Sequence, residues 1–282
     1  PQGFKLAQDS GTDVTKGIVI EDTEAGDEIS KGNQYVWVPI GDVKYNENGD
    51  IKTINLGRYE FETDSAGIMK QSADNYTEEI GIDVGDSYNY TERVSSQYGE
   101  IVAKDLGDFI TKAKSAGGYY IGRFEAGKVE GDNNTFNIKK GQEVYNEITE
   151  ISAANLSRNL YSSNNNFESD LINSYAWDTT IVFIQTFSGD LDYSKQTRFQ
   201  VSLTTTGNSH DEEGNYDIRC NIYDMAGNVT EWSTETGINI NSSSSVSRSG
   251  DNNDNYEYTS NRLMHDTSYS HIYLAFRTII YL

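Results

Sequence analysis

Two stretches of this chain carry residue types whose spacing could support chemistry or recognition. Residues 221–232 read Asn-Ile-Tyr-Asp-Met-Ala-Gly-Asn-Val-Thr-Glu-Trp. Gly227-Asn228 marks a tight turn after a short apolar run. Such a turn could bring the carboxylates of Asp224 and Glu231 together with turn carbonyls, and hard oxygen donors of this kind suit Ca²⁺. The plainer alternative has Asn228 satisfying loop backbone and Trp232 filling core. In the second stretch, 251–273, 18 of 23 residues are Asn, Asp, Tyr, Ser, Thr or His, with no Lys, Gln, Gly, Ala or Trp. That is a paratope alphabet: Tyr offers a rigid amphipathic face, and Asn, Ser and His offer adaptable hydrogen bonding. An ordinary polar surface loop shares much of it. Other chemistry is poorly provided for. Cys220 is the only cysteine, which excludes an intrachain disulfide or Cys-pair redox chemistry. His210, His265 and His271 form no helical i, i+4 ligand pair. No Ser-His-Asp set, P-loop or Gly-x-Gly-x-x-Gly is present.

The elements that must position these stretches are short. Ile18-Val19-Ile20 and Tyr35-Val36-Trp37-Val38 predict strands, the second ended by Pro39. Residues 41–97, rich in Asp, Asn, Glu, Gly and Tyr, read as an acidic insertion with little regular structure. Val102, Leu106, Phe109, Ile110 and Ala113 share one helical face, and Gly117-Gly118 stop that helix. A strand follows over 119–125. Further helices are predicted over about 149–161, with Ile148, Ile151 and Leu160 inward, and over 173–187, with Trp177, Ile181 and Ile184 inward. Phe199, Val201 and Leu203 alternate as a strand. So do Ile272, Leu274, Phe276 and Ile280, which predicts a terminal strand over 274–282 with one buried face. The fold class expected is α+β, loop-rich, with two to three helices, in a single domain over 1–282.

Composition narrows the partners. Lys and Arg number 22 against 44 Asp and Glu, for a net charge of −22. Nucleic acid is disfavoured, because phosphate binding needs a basic face, and so are anionic membrane surfaces. With 20 Tyr, 10 Phe and 3 Trp the chain has aromatic bulk for a core. No apolar run approaches the ~18 residues of a membrane helix, so no membrane insertion by this segment is expected. Starting at Pro1 rather than Met, the chain reads as a processed or trimmed product.

The 223–232 segment resembles the Gly-Asn-Val-Trp-Glu-Trp loop of the formylglycine-generating-enzyme (sulfatase-modifying factor) family, which has a C-type-lectin-like fold. Tyr35-Val36-Trp37-Val38-Pro39 resembles its opening strand, and Tyr120-Ile121-Gly122-Arg123-Phe124-Glu125 its Tyr/Phe-Glu strand. Tyr175-Ala176-Trp177-Asp178 is similar to its Ala-Glu/Gln-Trp helix. Arg248-Ser249-Gly250 stands where Arg-Gly-Gly is usual, and Ala275-Phe276-Arg277 where Gly-Phe-Arg closes the fold. The matches span roughly residues 33–282 in the family's order. The resemblance implies a structural Ca²⁺ held by side-chain oxygens of Asp224 and Glu231 and main-chain carbonyls of Gly227 and Val229. It also implies what is missing. The enzymes carry reactive cysteines between the Arg-Gly-Gly and Gly-Phe-Arg elements, and this chain has none there, so a non-enzymatic role is expected.

Within that superfamily, 242–273 resembles the variable region of diversity-generating-retroelement target proteins, whose AAC/AAT codons mutate at adenine. Only Glu257 and Met264 in 251–273 lie outside the amino acids such codons reach. The resemblance implies a ligand-binding surface running from Asn252 to Tyr273. Tyr256, Tyr258, Tyr269 and Tyr273 would be its anchors, with Asn253, Asn255, Asn261, His265, Ser270 and His271 adjusting polar contacts. The expected partner is a protein or glycan ligand on another cell or particle. The expected place is extracellular, on a bacterial surface or pilus through an upstream tether, or on a phage particle. Alternatives are a fixed-specificity adhesin, a structural pilus or phage subunit, and a metal-dependent enzyme of the superfamily.

Overall fold

Val-, Ile- and Tyr-rich runs become strands, since branched and aromatic side chains suit the pleated backbone. The computed structural model describes residues 1–61, 70–73, 82–83, 89–92, 106–196, 205–211, 213–238, 243–249 and 258–282. Strands β1 (Phe4–Leu6), β2 (Val19–Asp22) and β3 (Gln34–Pro39) open the chain, then β4 (Gly41–Lys44), β5 (Ile51–Ile54) and β6 (Arg58–Glu60). β7 (Lys70–Ala73), β8 (Ile82–Asp83) and β9 (Asn89–Glu92) precede helix α1 (Leu106–Ala116). β10 (Gly118–Gly122), β11 (Gly127–Val129) and β12 (Asp132–Asn137) lead to α2 (Glu150–Asn159), β13 (Glu168–Leu171) and α3 (Ser174–Phe187). The last part holds β14 (Ile218–Arg219), β15 (Ile222–Tyr223), β16 (Thr230–Ile238) and β17 (Ser243–Arg248). β18 (Arg262–His265), β19 (Leu274–Phe276) and β20 (Thr278–Tyr281) close it. The class is α+β, as the sequence predicts, with three α-helices among the described residues.

One sheet has the order β1-β2-β3-β10-β20-β13. Its central strands bury both faces. Val36, Val38, Tyr119, Ile121, Ile279 and Tyr281 pack with α1 and α3, while Tyr35 and Ile280 on the other face pack with Ala153 and Ala154 of α2. Gly118 lets β10 approach β3, since a Cβ there would lie 2.4 Å from the Trp37 ring. The second sheet runs β18-β17-β16-β9-β8, with β19 parallel to β16. Both predicted internal helices are capped where their sequences imply: the Thr149 side chain accepts from Ser152 N and the Asn173 side chain from Ala176 N. No helix among the described residues is long and apolar enough to cross a membrane.

Three expectations change. Residues 41–97 hold more structure than their polar composition suggests: β4 pairs with β5, β6 with β7, and β9 with β16. Val43, Ile54 and Tyr59 build a small core there against Val182 of α3. The terminal segment is two strands rather than one, in different sheets and buried on both faces, with Arg277 at the crossing. In α2 the buried face is Glu150, Ala153, Ala154 and Ser157, with Ile151 and Leu160 only partly covered. Val102 and the 199–203 alternation lie outside the described residues.

Candidate functional site

The loop entering β16 is curled by left-handed residues, Asp224 at φ 59° and Asn228 at φ 66°. Asn and Asp tolerate that conformation better than other side chains. It is Asn228, and not Gly227, that makes the turn. The Asp224 carboxylate accepts from Gly207 N at 2.5 Å and Ser209 N at 3.1 Å. Glu231 is gripped by Arg277, whose Nη2 lies 2.6 Å and whose Nε 2.9 Å from its two oxygens. Arg277 also donates to the carbonyls of Gly122 and Tyr223. Two further buried acids that sequence reasoning missed stand close by. Glu125 accepts from Asn228 Nδ2 at 2.6 Å, and Asp217 accepts from Ala226 N at 2.7 Å and the Tyr193 hydroxyl at 2.9 Å.

Burial pushes Asp224 up to about 8, helped by the charge of Asp217, and pushes Asp217 up to about 6. Burial, then the charges of Asp224 and Glu231, raises Glu125 well above the carboxylate range. Glu125 Oε1 and Asn228 Oδ1 are buried acceptors without a donor, and a proton on Glu125 would supply one. Two of the donors expected for calcium already have partners. Asp224 serves two backbone N–H groups, and the Arg277 guanidinium already sits on Glu231. Among the described residues no group of three or more His, Cys, Asp or Glu is arranged to hold a metal.

A second buried cluster has the opposite balance. Arg58, Arg248 and Arg262 converge on Asp178 and Glu235, at 2.8 Å for Arg58–Glu235, 2.5 Å for Arg248–Asp178 and 2.7 Å for Arg262–Asp178. Three guanidinium groups face two carboxylates. They overcome the desolvation imposed by burial and hold Glu235 well below the carboxylate range. Arg262 belongs to the stretch read as a contact surface, yet its side chain is only 7% exposed. Thr259 is likewise buried. These two are scaffold, which corrects any reading of 251–273 as uniformly free to vary.

Beyond Arg262, β18 leads outward. The His265 ring meets buried Trp232 edge-on, with centroids 5.3 Å apart. Tyr269 then stacks parallel to His265 at 4.9 Å, and His271 parallel to Tyr269 at 5.8 Å. Tyr273 follows His271 at 5.0 Å and a tilt of 46°. Four predicted contact residues thus form one ladder, exposed at Tyr269 and half-buried at His265, His271 and Tyr273. Ser247 Oγ lies 2.9 Å from His265 Nε2, but Ser247 is fully buried, so the pair orients the ring and exposes no nucleophile. Burial and the nearby charge of His271 hold His265 below the usual imidazole range.

The backbone beneath the ladder is fixed by residues outside it. Glu147 N donates to His271 O at 3.0 Å, Asn146 Nδ2 to Ile272 O at 2.8 Å, and Thr230 N to Tyr273 O at 2.9 Å. Trp177 Nε1 likewise holds Thr259 O, and Arg248 Nε holds Asn261 O, each at 3.0 Å. Tyr258, Tyr269 and Ser270 are exposed, Asn261 half-buried. Asn252, Asn253, Asn255 and Tyr256 lie outside the described residues. Set against protein-family profiles, curated proteins and solved structures, the chain matches none. Its site must be read from its own geometry.

Proposed function

We propose that this chain is a non-enzymatic recognition domain whose contact face comprises Tyr258, Asn261 and the ladder His265–Tyr269–His271–Tyr273. The observation that carries this reading is the division of labour in 258–273. Fixed groups hold its main-chain carbonyls, while Tyr258, Tyr269 and Ser270 are exposed and Asn261, His265, His271 and Tyr273 half-exposed. A loop built this way keeps its shape when its side chains change, which is what diversification of a binding surface requires. The resemblance to retroelement-diversified, lectin-like proteins agrees with the shared sheet of amino- and carboxy-terminal strands. On this reading the partner is a protein or glycan on another cell or particle, met at a bacterial surface, pilus or phage. The superfamily's enzymatic reading gains nothing from the buried Ser247–His265 pair.

Sequencing the 3′ end of the gene across a natural population tests the proposal. Substitutions should fall at positions 258, 261, 265 and 269–273 and spare Thr259 and Arg262. An invariant stretch would replace diversification with a fixed-specificity adhesin or structural subunit.

A further inference from the structure

A cleft of about 530 Å³ opens between β12 and α2, lined by Asn133, Asn134, Tyr145, Glu147, Asn155 and Asn159, among others. None of it belongs to the stretch 242–273. It nevertheless adjoins the ladder: Glu147, one of its walls, donates its backbone N–H to His271 O, and neighbouring Asn146 holds Ile272 O. Glu147 does so from a left-handed backbone at φ 56°, a conformation a non-glycine residue keeps where surrounding structure imposes it. Tyr145 is braced by its hydroxyl, which donates to Asn133 O at 2.5 Å, and by an edge contact with Phe276.

The lining selects among ligand classes. It has no Lys or Arg, so an anion finds no counter-charge. Glu147 is its one carboxylate, too little for a cation in a solvated cleft. The four amides are exposed at positions 133, 134, 155 and 159. Each offers a donor and an acceptor side by side, which matches vicinal hydroxyl groups. A tyrosine ring beside them gives an amphipathic wall for the C–H face of a sugar. Resting on the recognition role above, we infer that this cleft is a fixed subsite for a neutral, hydroxyl-rich saccharide. The ladder, through its exposed member Tyr269, would read the sugar units or aglycone beyond it. A net charge of −22 further disfavours sulfated or sialylated chains.

The test is binding of the intact chain to an immobilised array of neutral hexose and N-acetylhexosamine oligosaccharides, with sulfated and sialylated ones alongside. The comparison variants are the double N155L/N159L, on the exposed face of α2, and Y269A in the ladder. Melting curves confirm that each is folded. Neutral glycans should be bound, with a loss of about tenfold or more in N155L/N159L, as expected for removing central polar contacts. Binding abolished by Y269A but unchanged in N155L/N159L would overturn the cleft subsite and leave the ladder as the recognition face. Wild-type chain that binds no neutral glycan, or prefers acidic ones, would overturn the saccharide inference. The ladder reading would then stand or fall on the population sequencing.

Discussion

The two ends of β18, three residues apart, do opposite things. At Arg262 the chain is locked to Asp178 and Glu235 in a cluster with Arg58 and Arg248. At His265 it begins a stack of rings that reaches solvent through exposed Tyr269. The difference shows how one polar stretch can be both structural support and contact surface. Charges are spent inside, where every guanidinium is paired, and rings and amides outside, where no partner is required. Composition alone cannot separate the two, because Arg262 and Tyr269 are equally at home in a surface loop.

The sharpest break in this contrast is Arg262→Ala. It breaks two buried contacts at once, Arg262 to Asp178 Oδ2 and to Glu235 Oε1, and breaking a buried ion pair by removing one partner costs about 3–5 kcal/mol. A fall in denaturation midpoint of that size is expected, against almost none for Ser270→Ala. A comparable loss in both would erase the distinction.

The next effect lies in pH, where the two buried clusters pull in opposite directions. Asp224 is raised from 3.8 to about 8 and Asp217 from 3.8 to about 6. Over those ranges the native chain keeps protons that the unfolded chain has released, so these acids make stability fall as pH rises from 3.8 toward 8. Glu235 is depressed, so its contribution is present above its unfolded value of 4.5 and is lost on further acidification. Melting temperature should decline between pH 5 and about 8, and Asp224→Asn should flatten the decline. A wild-type curve that rises over that interval would contradict the raised values.

Glu125→Gln is a smaller test of the same cluster. If Glu125 is protonated in the fold, the neutral isostere should melt at or slightly above the wild-type temperature at pH 8. A large destabilisation would mean that a carboxylate is needed there. Smaller still is the effect of chelation: with Asp224 and Glu231 committed to N–H donors and Arg277, EDTA should leave the melting curve unchanged. A lowered midpoint that calcium restores would show the ion bound, by mass action.

Much of the scaffold was legible because it rests on local pattern. Trp177, Ile181 and Ile184 recur at helical spacing, and Thr149 and Asn173 are side chains that cap helices. Arg248 and Arg277 stand in short motifs that the sequence shows, although the acids they meet, Asp178, Glu235 and Glu231, are set by the fold. The pairing of Glu125 and Asp217 was not legible, since their partners stand 103 and 24 residues away along the chain at Asn228 and Tyr193, and no periodicity reports such pairing. The terminal alternation misled because Arg277 hands the chain from one sheet to the other while both halves keep a strand's pattern. The ladder residues were visible singly, but their stacking depends on turns at 266–271 that only the folded backbone defines.

The most direct test needs no ligand. A display library with single substitutions at every position from 258 to 273 would be sorted for protease resistance as a measure of folding. Substitutions at 269–273 should keep stability within about 0.5 kcal/mol of wild type, while Thr259 and Arg262 tolerate almost none. If replacing Tyr269 or His271 proved as damaging as replacing Arg262, the ladder would be part of the scaffold and the outer half of this stretch would not be a recognition surface.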